Sequence, residues 1–178
     1  MKSVTAIALL ALTGTVPAMA QNAPQTPGLH ARTASATYAS MAASSDNYEI
    51  ESSKLMLGAA TNPDVRQFAQ MMIDDHTRTS AQLMAAARAA NAGTTNLLPP
   101  EAAMLKALRA AGKDNMERLY VDQQVKAHEK ALALHQGYAD QGDNPGLRAV
   151  AEAAVPIIQH HLDEIRRIQS AMGAPAPD

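Results

Sequence analysis

The sequence has no cysteine, no tryptophan and a single phenylalanine. Without cysteine no disulfide staples the chain, so the apolar core must be large enough to hold it together. Lipid attachment through a cysteine is excluded as well. Aromatic residues reach only 3%, and β-branched runs are scarce, which argues against a strand-built core. Basic residues do not outnumber acidic ones, 15 against 17. With no basic stripe to neutralise phosphates, nucleic acid is excluded as a partner. After the first residues no apolar run is long enough to cross a bilayer. What is abundant is alanine, the best helix former, within an apolar content of 47% that includes ten methionines. The composition is all-α, and 178 residues suit one domain.

Lys2, the apolar run from Val4 to Leu12, and Ala18-Met19-Ala20 form the three parts of a secretory signal peptide. Cleavage after Ala20 is expected, so residues 1–20 are a signal peptide and the mature chain carries 14 basic against 17 acidic residues. The expected location is a bacterial periplasm or the outside of the cell. Residues 21–34 contain Pro24, Pro27 and Gly28, lack apolar periodicity, and read as a flexible tether in which His30 is an uninvolved surface residue. Residues 173–178 read as a disordered tail, which leaves 35–172 for the folded unit.

Four long helices follow from stripes at helical spacing. The first, about Ser35 to Ala60, carries Tyr38, Ala42, Ser45, Glu49, Ser52, Met56 and Ala59. Asn62-Pro63-Asp64 opens the second with an N-cap, a first-turn proline and an acid at the positive end of the dipole. Its stripe is Val65, Ala69, Met72, His76, Ser80, Leu83, Ala87 and Ala90, and Gly93 is expected to end it. Pro99-Pro100-Glu101 starts a short extra helix that Gly112 ends, inside a connection long enough for the third helix not to run antiparallel to the second. The third, Asp114 to Asp140, carries Val121, Val125, His128, Leu132 and His135, with Tyr120 and Tyr138 beside them. The fourth opens at Asn144-Pro145 and carries Leu147, Ala151, Ala154, Ile158, His161, Ile165, Ile168 and Met172, with Pro156 inside it. Pro156 is expected to bend the helix before His161. Asn62 to Ala69 resembles Asn144 to Ala151, so the same turn is used twice. The expected architecture is a four-helix bundle made of two helical hairpins.

Glu49 stands 13 residues before Asn62 and His76 14 after it; His128 stands 16 before Asn144 and His161 17 after it. At about 1.5 Å per residue each pair is level within its hairpin, and all four fall near the waist. One glutamate and three histidines facing inward at one height suit a single divalent transition metal: zinc, iron, manganese or copper. The same residues could also form a polar layer that hydrogen-bonds to itself. Asp75, one position off the stripe, is expected to orient a ligand from behind. Met72 reads as core filling or a soft copper ligand. His135 reads as the end of the core, and His160 with Glu164 as a surface pair. Other patterns fail. His128 and His135 are too far apart for a zincin helix, residues 140–144 lack the spacing of an EF-hand, and Ile73 and Ile158 stand where a di-iron carboxylate centre needs glutamates.

Several stretches are similar to the bacterial family DUF4142: Tyr48 to Leu55, Asn62-Pro63 with Val65, Phe68 and Ala69, Met72 to Thr77, Tyr120 with His128-Glu129, and Pro156 with His160-His161-Leu162. They span about Ala36 to Met172. The resemblance implies a ferritin-like fold, export, and characteristic polar positions at Glu49, Asp75, His76, His128 and His161. It implies no activity. Three functions stay open: an exported metal-binding bundle for buffering, storage or envelope stress protection; a metal-dependent oxidase or peroxide-consuming enzyme, for which Tyr48 and Tyr120 could serve as redox partners; and a non-metal interaction module of the envelope. Beyond the metal ion no partner is named, and monomer or dimer both fit.

Overall fold

A computed structural model describes the backbone of residues 28–173, and the side chains of 35–113 and 115–173. The expected signal peptide, the first part of the tether and most of the tail lie outside those residues. Five helices follow one another among the described residues: α1 (Gly28–Ala59), α2 (Pro63–Ala89), α3 (Pro99–Ala110), α4 (Lys113–Gln141) and α5 (Pro145–Gly173). No strand occurs among the described residues. The fold is an all-α bundle of four long helices with a short fifth laid against it.

α1 packs on α2 and α4 on α5, each pair joined by a short Asn-Pro turn. α1 also packs on α4, and α2 on α5, closing a ring of four. Cross-links fix the directions. Tyr38 meets His135 and Ser53 meets Tyr120, so α1 and α4 run antiparallel. Asp64 meets Arg167 and Asp75 meets His161, so α2 and α5 do too. α2 and α4 are therefore parallel on a diagonal, and the long connection carrying α3 returns the chain from one end of the bundle to the other. α3 rests on α1 and α4, seated by Leu105 and Leu108. Ser44 of α1 stands in for its missing cap: its Oγ accepts from Leu98 N–H (2.8 Å) and donates to Glu101 Oε2 (2.9 Å).

The helix ends follow local chemistry. Asn62 Oδ1 accepts from the N–H groups of Asp64 and Val65, and Asn144 Oδ1 from that of Leu147. α2 ends differently from expectation. The left-handed residue is Asn91, with φ of 52°, not Gly93. Ala92 N–H reaches back to Ala87 O and Asn91 N–H to Arg88 O, a Schellman closure. Asparagine tolerates that conformation, so the glycine two residues on is not needed. Gly142 caps α4, and a Cβ there would lie 2.5 Å from the carbonyl oxygen of Tyr138, so the cap position has room only for glycine. α1 begins at Gly28, inside the stretch expected as a tether. Between Gly28 and Gly58 there is neither proline nor glycine, so the helix is free to extend toward its N-terminus. α5 runs through Pro156 without interruption.

The stripes are the core. Val65, Phe68, Ala69 and Met72 of α2 meet Leu162, Ile165 and Ile168 of α5 and Met56 of α1 on one side of the waist. Tyr38, Ala42, Leu83, Ala87, Leu147 and Ala151 fill the other side. Each large side chain so buried contributes roughly 1.5–3 kcal/mol. Met72 is core, as its position suggested. Because the Asn caps close both hairpin turns, Asn62→Ala and Asn144→Ala should each cost about 1 kcal/mol in urea unfolding; unchanged midpoints in both would show that the turns, not the caps, hold the ends.

Candidate metal centre at the waist

Between the two apolar halves lies a polar layer. Glu49 (α1), His76 (α2), His128 (α4) and His161 (α5) are each at most 3% exposed. The three imidazole centroids are 5.3 to 5.8 Å apart. Phe68, the only phenylalanine in the sequence, stands edge-on to His128 and His161 and closes the layer on the Ile165 side.

Each histidine is held by one ring nitrogen. His128 Nδ1 donates to Gln124 O (2.9 Å), and a carbonyl can only accept, so the proton is on Nδ1 and the lone pair on Nε2. His76 Nδ1 faces Asp46 Oδ1 at 2.9 Å. His161 Nε2 faces Asp75 Oδ2 at 2.9 Å, which leaves Nδ1 as its unprotonated nitrogen. Asp75 is itself fixed by Arg78 on its other oxygen. The remaining nitrogens, His76 Nε2, His128 Nε2 and His161 Nδ1, are buried and without a partner. Both oxygens of Glu49 share that condition. An unpartnered buried polar atom costs roughly 1–3 kcal/mol, and five at one level are not a packing accident. Each of the three histidines offers one nitrogen within 4.8 Å of the others'.

Glu49 stands apart from that trio. Its Oε2 is 3.1 Å from His76 Nδ1, and its Oε1 is 3.7 Å from His128 Nδ1. With Asp46 and His76 it forms a second group of ligand atoms within 4.8 Å. Asp46 was not singled out in the sequence. It lies one helical turn before Glu49, and Ser80 Oγ donates to its other oxygen (2.7 Å). The spacing from Asn62 that makes Glu49 level with His76 makes Asp46 nearly level with Ser80, which is the signal that would have found it. Asp46 also borders a small opening. A cleft between α2 and α5, about 10 Å³ and roomy enough for one water, is lined by Asp46, His76, Gln82, His135 and Ile158. Larger hollows, about 320 Å³ at the α2–α3 connection and about 350 Å³ beside Tyr138, touch none of the three histidines.

Other candidates settle elsewhere. His135 is buried with its Nδ1 3.1 Å from Tyr38 OH, and Tyr38 stacks on Tyr138. Tyr48 and Tyr120 are buried and bonded to Gln123 and Ser53. His160 is exposed, but the Glu164 carboxylate is taken by Arg167 and not by His160.

Burial sets the titration behaviour. It pushes the Glu49 carboxyl up to about 7 even against the pull of His76. Burial alone would lower His76, yet the charges of Glu49 and Asp46 hold it at about 9. His128 is driven well below its ordinary range by burial and by the neighbouring His76 and His161. Burial and the charge of His76 bring His161 to about 4 against Asp75, and burial brings His135 to about 4. Burial works against Asp75, but the hydrogen bonds and charges of His161 and Arg78 leave it below the usual carboxylate range.

These shifts have a stability consequence for protein kept in chelator. Below about 6.5 the unfolded chain protonates His128, His135 and His161, which the folded chain keeps neutral, so stability falls as pH is lowered. Glu49 has the opposite sign, adding a penalty as pH rises from its ordinary 4.5 toward 7, but it is one group against three. His76 contributes stability that is complete below 6.5 and lost as pH climbs through about 9. Thermal midpoints should therefore peak near about pH 6.5 and decline both ways; a midpoint flat from about pH 4 to 6.5 would contradict the assignment.

The profile of a family described as a domain of unknown function, DUF4142, matches residues 18–168. No curated protein and no solved structure matches the chain.

Proposed function

The chain belongs to the DUF4142 family, and on that premise we propose that it binds one divalent transition metal at the waist of its bundle. The observation that carries this reading is the orientation of the three histidines. Each is clamped from outside, by Asp46, Gln124 O or Asp75, and each leaves a ring nitrogen with no partner inside. Outer acceptors of this kind fix the tautomer and orientation of metal-binding imidazoles. Ligand nitrogens on a tetrahedral ion with bonds of about 2.0–2.1 Å lie ~3.4 Å apart, so the rings need close in only slightly. Once the ion displaces the proton that His76 carries below about pH 9, the three nitrogens bring no charge, and the Asp46 and Asp75 carboxylates behind His76 and His161 supply it. The donor set suits zinc, copper or iron(II), with a fourth position for water.

The role that fits is metal holding: buffering, storage or envelope stress protection by an exported, ferritin-like bundle. The leader-like residues 1–20 support export, and the buried centre, reached by a cleft no wider than a water, supports retention over turnover.

Mature protein purified from the periplasm should carry about one metal per chain by mass spectrometry. His161→Ala should lose it. Asp75→Asn should keep the fold and weaken binding about 10- to 100-fold. In excess zinc, at about 100 times the dissociation constant, the wild type should gain roughly 2.7 kcal/mol of stability. A wild type that purifies without metal, and gains neither bound ion nor stability from added zinc, copper or iron(II), would overturn the reading.

A further inference from the structure

Glu49 presents a problem that the three-nitrogen centre leaves in place. It is 0% exposed, and neither oxygen meets a hydrogen-bond donor in good geometry. Its oxygens stand 3.1 Å from His76 Nδ1 and 3.7 Å from His128 Nδ1, and His76 Nδ1 is also 2.9 Å from Asp46 Oδ1. Two carboxylates and one imidazole nitrogen thus converge on a second point, on the opposite edge of the His76 ring from Nε2. The ligand atoms lie within 4.8 Å of one another. Two buried carboxylates placed together repel unless a positive charge stands between them, and each buried ion costs several kcal/mol without compensation. His76 stands between them as the one positive charge for two carboxylates, through a single shared N–H, so the need is only partly met.

We propose that Asp46, Glu49 and His76 Nδ1 form a second cation position, adjoining the first and different in chemistry. Two oxygens and one nitrogen favour a harder ion such as manganese(II), where three imidazoles favour zinc or copper. Asp46, whose side chain is 10% exposed, forms the edge of this position toward the cleft. When both positions are filled, His76 bridges them, Nε2 on one ion and Nδ1 on the other. The Nδ1 proton then leaves to solvent, and the ring carries the negative charge that offsets part of the second ion. The inference rests on the three-nitrogen reading for the neighbouring ion and on its own residues for itself.

The two positions have private ligands, so they can be tested apart. His161 belongs only to the nitrogen trio, and Glu49 only to the oxygen-rich position. Manganese(II) is titrated into zinc-loaded protein, with free manganese followed by its electron paramagnetic resonance signal and zinc retention by mass spectrometry. The wild type should take up manganese while keeping its zinc. Glu49→Gln should retain zinc and lose manganese affinity by about tenfold or more, and His161→Ala should lose zinc and still bind manganese. Asp46→Asn, equally isosteric, should repeat the manganese loss if Glu49→Gln does not fold by circular dichroism. The proposal is overturned if zinc-loaded wild type takes no manganese, if manganese displaces zinc ion for ion, or if folded variants at position 49 or 46 bind manganese as the wild type does. A protein that binds no zinc but holds manganese in both wild type and His161→Ala would sink the trio and leave this position standing.

Discussion

A carboxylate that no water reaches and few donors meet is the constraint around which this bundle is arranged. Glu49 of α1 is wholly buried. Burying an ionised group costs several kcal/mol unless positive charge or hydrogen bonds answer it. Everything near it serves that need. His76 is held protonated by its neighbours up to about 9, His128 stands on its other oxygen, and Asp46 ties His76 in place. The apolar halves above and below keep water away and so raise the stakes. A polar layer of this kind is stabilising only when completely satisfied, and five of its atoms are left over. Metal ions are the simplest partners for that surplus.

The fold places these groups by simple means. Antiparallel neighbours joined by short capped turns keep residues at equal distances from a turn at equal heights. A stripe with a step of three or four residues keeps them inward. The outer partners then depend on the packing of whole helices: Asp75 on α2 reaches His161 on α5, and Asp46 on α1 reaches His76 on α2. Neighbouring helices are thus joined across the ring by the same contacts that orient the imidazoles, so a shift of one helix would misdirect a nitrogen on another. Gln124 differs in using its own backbone carbonyl one turn from His128. That clamp is built into α4 alone.

Much of this was legible before any coordinates. The inward stripes of α2 and α5 and the level placement of His76, His128 and His161 follow from helical geometry, because rise and periodicity are nearly invariant. The Asn-Pro starts follow from capping chemistry. What periodicity could not give was the roll of each side chain about its own helix. Stripe and height group Glu49 with the histidines as one ligand set, yet it faces the Nδ1 edges of His76 and His128. Ring orientation is decided by which acceptor lies behind each imidazole, and that acceptor is on another helix or on the backbone. Asp46 escaped notice for a related reason. It sits about 100° round α1 from the stripe position Ser45, where a solvent-facing acid would also sit, and only the approach of α2 buries it. The cap of α2 is Asn91 and not Gly93 because asparagine and glycine compete for the left-handed position, and the chain takes the earlier one. The start of α1 was misplaced because Pro27-Gly28 was read as the middle of a tether, whereas the helix begins at Gly28.

The central claim is that three named nitrogens take the ion and their opposite ring edges stay on protein. Nitrogen-15 labelling of the histidines, followed by long-range proton–nitrogen correlation spectra before and after one equivalent of zinc, tests it atom by atom. The account predicts that zinc moves the resonances of His76 Nε2, His128 Nε2 and His161 Nδ1, while His128 Nδ1 and His161 Nε2 keep their protons. Zinc that leaves all the ring nitrogens unmoved, or that binds through His128 Nδ1 or His161 Nε2, would contradict it.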